Sequence, residues 1–571
     1  MGFPPENHAD AAGHLTASAK PNPLDGLSNL ATLFVRQRNY KAAEECYRRV
    51  LKAQPESAES LSRLGTVKKL QGQLPAAIDC YRRALTLQPA CAEFHFNLAI
   101  TLQKQGAFME AVESYHRALA LQPDDFRFHF GLGVALHEMG DTAAAAASYR
   151  FALRLNPKCA SAYTNLGALC QELGDLDTAA ALQRQALRLS PDMLDAHVNM
   201  GVVYSKQGNM AEAIACFQRA LAQDPNYAAA HCNLGFALAK LGDLRGAEGS
   251  YRRALACQPD LAIAQVCLAT THMVQGNLAA GWPEYEARWK TSEFRAFRRS
   301  FAQPLWRGEA LHGARILLHA EQGLGDTIQF VRYAPAVAAL GGEVILEVQP
   351  QLRRFLDHVP GVTRTITRGE PFPEFAWQCP LLSLPLAFQT ELSSIPAKVP
   401  YLQADQTGAR AWAGRLAGEG LRIGIAWAGN PKHSRDRQRS LALAQLEPLT
   451  HIKGTTFYSL QKGAAAAQLR ELPATMKVHD LEAQVEDFAD TAAIVANLDL
   501  VISVDTALAH LAGAMGKPVW ILLHCMPDWR WLLNREDSLW YPTARLFRQT
   551  TPDNWQGVID RLRMELEGIA G

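Results

Sequence analysis

The chain has 571 residues, enough for two to four domains rather than one core. It is 48% hydrophobic and 20% charged, the balance of a soluble globular protein, and a net charge of +1 excludes both a basic nucleic-acid binder and an acidic tail. No apolar run approaches the ~18 residues of a membrane span, and MGFPPENHADAAGH lacks the features of a secretory signal and of a myristoylation motif, so a cytoplasmic protein is expected.

Residues 1–22 are polar and rich in Pro and Ala, and are expected to be a disordered tail. Seven prolines then fall 34 residues apart: Pro55, Pro89, Pro123, Pro157, Pro191, Pro225 and Pro259. That interval is the period of a helix-turn-helix repeat. Residues 23–290 read as seven repeats and a degenerate eighth. In the repeat ending at Pro225, Gly201 allows close helix packing, Gly208-Asn209 turns the chain, and Ala213 and Phe217 face the neighbouring helix. The eleven cysteines contain no CxxC pair. Cys46, Cys80 and Cys216 share a repeat position with Ser114, Ser148 and Ser250, which marks a small-residue packing site.

These repeats resemble the tetratricopeptide family, and stacked pairs of this kind form a superhelix with a groove. The first helix of each pair lines it. Asn29, Asn97, Asn165, Asn199 and Asn233 are in register there, with Arg63 and Gly131 in the intervening slots. An asparagine carries a donor and an acceptor, so a row of them can hold an extended peptide backbone. The row resembles the asparagine ladder of protein O-GlcNAc transferases, and these five residues are the expected acceptor-binding positions. The competing reading is asparagines bonded within the array. The last unit, GNLAAGWPEYEARWK (276–290), carries Trp282, Tyr285 and Trp289 on one helix face and reads as an apolar cap toward the next domain.

Residues 291–311 read as a linker. Beyond it short apolar runs alternate with helical stretches, which implies parallel sheets covered on both faces. ARILLHAEQ (314–322), EVILEVQ (343–349) and a run within 375–385 are predicted strands of a first domain, 312–408. RIGIAWAG (422–429), TFYSLQ (456–461), DLVISVD (499–505) and PVWILL (518–523) belong to a second, 409–571. The fold class is thus an α-solenoid followed by two doubly wound Rossmann-like domains, with ligands expected at the carboxyl ends of the strands.

Glu321-Gln-Gly323-Leu-Gly325-Asp326 follows the first strand and precedes a helix. Asp505 and Thr506 sit where a strand gives way to a helix, and His510 lies one turn further on. The Gly-Asp loop and DTALAHLAGAMGKP resemble the ADP-heptose:lipopolysaccharide heptosyltransferases, a GT-B glycosyltransferase family. Gly323 and Gly325 let the loop backbone turn sharply and approach a ligand and are candidate donor-binding residues; the resemblance implies Asp326 as the catalytic base and Asp505, Thr506 and His510 as donor-binding residues. Three departures stand out. The family's DTG is Asp505-Thr506-Ala507, its short glycine-containing ending is HCMPDWRWLLNRED (524–537), and its phosphate loop is AWAGNPKHSRDRQRS (426–440). In that last stretch Asn430, Lys432, His433, Arg435, Arg437 and Arg439 precede Ser440, a predicted helix N-cap. Arg439, Asn430 and Ser440 are candidate diphosphate ligands, as are Gln461 and Lys462 after the next strand; a solvated basic loop is the alternative. Trp529, Arg530 and Trp531 either stack on a base or sugar or pack structurally.

A repeat arm joined to a GT-B half resembles protein O-glycosyltransferases, including the bacterial flagellin glycosyltransferases. This implies an inverting, metal-independent transfer of sugar from a nucleotide sugar to Ser/Thr of a protein held by the arm, with no cofactor. The alternatives are a non-catalytic scaffold with a degenerate transferase half, and a lipopolysaccharide or capsule transferase. A homodimer is among the expected assemblies.

Overall fold

The computed structural model describes residues 23–294, 297–416, 418–431 and 436–570. The expected tail 1–22 and the basic residues Lys432, His433 and Arg435 lie outside them. The chain forms two compact units, Met1–Ala237 and Leu238–Gly571.

Sixteen helices run in pairs from α1 (Pro23–Arg36) and α2 (Tyr40–Ala53) to α15 (Ala262–Val274) and α16 (Leu278–Tyr285). The turn inside each pair needs one residue with positive φ. Glycine supplies it at Gly72, Gly106, Gly140, Gly174 and Gly208, whereas Arg38 adopts φ 57° in the first pair. Helices close on each other through a second glycine: a Cβ on Gly201 would lie 2.5 Å from Phe217, and one on Gly133 2.7 Å from Tyr149. In the fifth pair Gly167 faces Gln183 instead of an aromatic ring. The proline that ends a pair leaves its carbonyl without a helical partner, and in five repeats a side chain six residues on satisfies it, Gln265 serving Pro259 at 2.9 Å. The rings of His95, His129, His197 and His231 donate to Pro89, Pro123, Pro191 and Pro225 at 3.0, 2.8, 2.8 and 2.9 Å.

In the second unit the first sheet has the order β3-β2-β1-β4, all parallel, from β1 (Arg315–His319), β2 (Glu343–Val348), β3 (Val362–Thr367) and β4 (Trp377–Pro380). The second sheet is also parallel, ordered β10-β9-β8-β5-β6-β7. Its strands are β5 (Leu421–Ala426), β6 (Thr455–Ser459), β7 (Val478–Asp480), β8 (Leu500–Val504), β9 (Val519–Leu523) and β10 (Ala544–Arg548). The second strand series changes direction between β8 and β5, which makes the crevice at their carboxyl ends the topological switch point.

The end of the array is part of this unit. Leu244, Met273, Trp282 and Tyr285 share one apolar core with Ile316, Leu318 and Leu346 of the first sheet. The indole of Trp282 donates to Thr390 O at 2.8 Å and packs edge-on against Trp529. The segment read as a linker lies along the first sheet: Leu305 bridges Gln378, and Trp306 is 1% exposed. Among the described residues no helix is long and apolar enough to cross a membrane.

Candidate active site

The loop after β1 delivers Asp326. Its helix is Leu324–Phe330, so Asp326 lies inside the first turn rather than ahead of it. A 3₁₀ turn, Val331–Tyr333, separates this helix from the next, Ala334–Ala339, which breaks the single helix expected after the loop. One Asp326 carboxylate oxygen accepts from Gly323 N–H at 2.9 Å. Gln349, at the end of β2, steadies the loop: it accepts from Thr327 Oγ1 at 2.9 Å and donates to Gln322 O at 2.9 Å.

The loop after β8 delivers Asp505 and Thr506 ahead of the helix Ala507–Ala514. Thr506 Oγ1 shares a hydrogen bond with Ser503 Oγ at 3.1 Å. The two loops meet. A Cβ on Gly325 would lie 2.8 Å from His510 Cδ2 and 3.3 Å from Ala507 Cα, so glycine is what lets the first-domain helix reach the second-domain helix. Ala507, which departs from the family's DTG, is therefore a contact residue of this junction.

His510 is held as a packing residue. Its Nδ1 pairs with Tyr541 Oη at 2.9 Å and its ring stacks on Trp531 at 5.5 Å. Burial, with Arg530 nearby, pushes its pKa down to about 3, so the ring is neutral at pH 7. Asp505 moves the other way: burial and the adjacent Asp528 raise it to about 6, against the pull of Arg439.

The remaining predicted donor residues fall into two groups. Arg439 reaches the Asp505 loop, donating through Nη1 to Asp505 O at 2.9 Å, while its Nε pairs with Asp436 at 3.2 Å. Asn430 is exposed beside Gly429. Ser440 is not a helix N-cap: it follows the helix Asp436–Arg439, and its hydroxyl accepts from Gly429 N–H at 3.0 Å. Gln461 is a structural peg, its carbonyl accepting from Trp427 and Ala428 N–H at 3.1 and 2.9 Å. Lys462 donates to the carbonyls of Glu482 and Val485 at 3.0 and 2.5 Å. Both are thus committed to protein partners.

The segment 524–537, singled out only as a departure, builds much of the junction. Trp529 and Trp531 are 4% and 1% exposed, so both pack rather than await a ligand. Between them Arg530 crosses to the first domain. It pairs with Asp326, donates to Gln329 Oε1 at 2.5 Å and pairs with Asp528 at 2.8 Å. Sequence reading could place Arg530 at a strand exit, but pairing residues about 200 positions apart leaves no local signal.

A second buried cluster lies behind the loop. Arg288, fully buried, meets Glu286, Glu321 and Ser383 at 2.5, 3.3 and 2.8 Å. Glu321 accepts from Leu382 N–H at 3.1 Å, and burial raises it to about 7 despite Arg288. Only the position of Glu321 before the Gly-Asp loop hinted at this role.

In the array the asparagine row is real as a register but not uniform in environment. Asn29 is exposed and Asn97, Asn199 and Asn233 are half-buried, whereas Asn165 is buried with no partner for its Nδ2 among the described residues. Asn233 donates back to Ala229 O at 2.9 Å within its own helix.

Comparison with known proteins agrees with this division. Tetratricopeptide-repeat profiles match residues 27–59, 65–106, 101–140, 138–193, 204–242 and 228–261. The profile of glycosyltransferase family 9 (heptosyltransferase) matches residues 455–523, from β6 through β9. Protein FlbA of Caulobacter vibrioides is 29% identical over 334 residues, which is 54% of this chain and 55% of that protein. The chain thus spans about half the length of the curated relative it matches. Among solved structures, a tetratricopeptide repeat protein from Parabacteroides merdae is 18% identical at a TM-score of 0.39, covering 43% of this chain and 98% of its own. MamA is 25% identical at a TM-score of 0.27, covering 30% and 95%. The chain joins a tetratricopeptide-repeat array to two Rossmann-like α/β domains of GT-B type, the second of which carries a glycosyltransferase family 9 segment.

Proposed function

We propose that this chain is an inverting glycosyltransferase that moves a sugar from a nucleotide sugar to a Ser/Thr hydroxyl of a protein held by the repeat array. The observation that carries the reading is the junction of two loops across the domain boundary, Asp326 on one side and Asp505-Thr506 on the other, with Gly325 against His510 and Ala507. Asp326 takes the proton of the acceptor hydroxyl as its oxygen attacks the anomeric carbon from the face opposite the leaving group, which inverts that centre. In this reading Arg439 and the N–H groups at the start of the 507–514 helix meet the charge that develops on the departing phosphate, and no metal is called for. The asparagine row favours a polypeptide acceptor over a glycan, and a flagellin-type protein is the acceptor that the layout resemblance suggests.

The test uses the full chain. Thermal unfolding is followed with UDP, GDP, ADP, dTDP, CDP and CMP; a nucleotide at 100 times its Kd adds about 2.7 kcal/mol. Incubation of candidate acceptors with the matching nucleotide sugars is then read by mass spectrometry. One nucleotide shifting the transition, with a sugar-sized mass gain on an acceptor Ser or Thr that Asp326→Asn abolishes, is the expected result. A folded chain that binds none of the nucleotides would refute it in favour of a scaffold. Sugar transfer to a glycan, unaffected by Asn199→Ala and Asn233→Ala, would point to a lipopolysaccharide or capsule transferase instead.

A further inference from the structure

We propose that Arg530 is a positioning residue for the transfer step, gripping the helix that carries Asp326 from the opposite domain and fixing the orientation of its carboxylate. This rests on the glycosyltransferase reading above.

Among the described residues, Asp326 receives one bond from its own domain, from Gly323 N–H. The last torsion of an aspartate is broad and roughly two-fold, so a carboxylate held at one oxygen is poorly aimed. Arg530 takes the other oxygen through Nη2. Its Nε bonds Gln329, three residues further along the same helix, so the guanidinium holds one helix face at two points. Nη1 pairs with Asp528, which anchors the fork to its own segment. The plane of the group is fixed by Trp529 at 4.4 Å and Phe330 at 5.5 Å.

The arrangement is costly unless it does something beyond stability. Desolvating a guanidinium costs several kcal/mol, and a buried ion pair is often no more stabilising than apolar side chains of the same volume. Here burial alone would lower the Arg530 pKa, but Asp528 and Asp326 outweigh it and keep the group charged. Two carboxylates from two domains converge on one arginine that is 8% exposed, while Asp326 keeps 20% of its side chain open. That is the geometry of an aimed carboxylate with a free edge. In the transfer the acceptor proton passes to Asp326, the hydroxyl oxygen bonds the anomeric carbon, and the carbon–oxygen bond to the phosphate breaks with its electron pair leaving on the nucleotide. Arg530 touches none of these atoms and acts through Asp326.

The experiment compares the full chain with Arg530→Ala and Arg530→Lys. With the candidate acceptor proteins present, turnover is read as nucleotide release from UDP-, GDP-, ADP-, dTDP- and CMP-sugars, nucleotide binding by calorimetry, and the 323–330 amides by hydrogen exchange. Arg530→Ala is expected to lose about 100-fold in turnover, the scale of a misplaced reacting group, with nucleotide Kd changed less than about threefold. Its 323–330 amides exchange faster, and guanidinium at tens of millimolar restores part of the turnover. Arg530→Lys does not recover, because a single ammonium cannot replace the fork. Wild-type turnover in Arg530→Ala overturns the proposal. So does a fall in nucleotide affinity that matches the loss of turnover, which would make Arg530 a donor ligand. A wild-type chain inert toward every nucleotide sugar refutes the transfer reading itself, whereas unchanged exchange at 323–330 in Arg530→Ala refutes only the positioning.

Discussion

Adding a single methyl group at Gly325 tests the contact between the two domains. In Gly325→Ala the new Cβ falls 2.8 Å from His510 Cδ2, 3.3 Å from Ala507 Cα and 3.6 Å from Ala507 N. Carbon atoms in contact prefer about 3.5–4.0 Å, so the ring is close to 1 Å too near. It cannot swing away freely, since Nδ1 is bonded to Tyr541 and the ring face lies on Trp531. Breaking the Tyr541 bond costs about 1 kcal/mol, and overpacking as a whole costs about 1–3 kcal/mol. Against this, Ala in place of a helical Gly gains about 0.5–1 kcal/mol. The expected net loss is about 1–2 kcal/mol. Gly568→Ala is the control, because a Cβ there meets nothing within 4 Å and only the gain remains. All eleven tryptophans lie between Trp282 and Trp555, so their fluorescence during urea unfolding follows the second unit while the first stays silent. A Gly325→Ala chain as stable as Gly568→Ala would show that the two helices do not meet as closely as described.

Trp282→Ala leaves a hole beside Trp529 and removes the donor to Thr390 O. A loss of about 3–5 kcal/mol is expected in the fluorescence-detected transition, with little change in the unfolding of the array. Gln183 is fully buried, its Oε1 without a partner among the described residues, at the position that holds Tyr149 and Phe217 in neighbouring repeats. Gln183→Phe is expected to stabilise the array by about 1 kcal/mol in far-ultraviolet circular dichroism. His319 is buried against Gln378 and, chiefly through burial, titrates near 4 rather than 6.5. The unfolded chain binds its proton first, so His319 makes stability fall as pH drops from about 6.5 to about 4, by roughly 3 kcal/mol in all. His319→Gln should flatten that part of the stability–pH curve. Glu321, raised to about 7 by burial, acts oppositely: its contribution is present below about 4.5 and is lost as pH rises toward 7. Glu321→Gln should therefore gain stability relative to the wild type between pH 5 and pH 8, on the order of 2 kcal/mol.

The array was legible because each repeat restates the same rule, a proline every 34 residues and a turn glycine within each pair. Strands buried on both faces were legible as apolar runs: VWILL and LVISV are buried at every position. The strands missed were those without such a run. VTRTIT lies at the sheet edge with only Thr365 and Ile366 buried, VHD is three residues long, and ARLFR carries two arginines. At the site, the motif residues Asp326, Asp505 and Thr506 were legible because each sits at a strand end that local pattern marks. What local pattern cannot mark is which side chains are already spoken for. Gln461 and Lys462 look like ligands in sequence but are bonded to the backbone around them. Arg530 and Arg288 matter through partners that the fold alone brings near.

The second unit begins at Leu238, inside the repeats, and this sets where one arm can be exchanged for another. A graft made at the apparent boundary near residue 290 would strip the transferase half of Trp282, Tyr285 and Arg288. It would leave Trp529 and Glu321 facing solvent. A graft made ahead of residue 238 keeps those partners within the second unit. The last repeats thus belong, as a folding matter, to the transferase half whose core they complete.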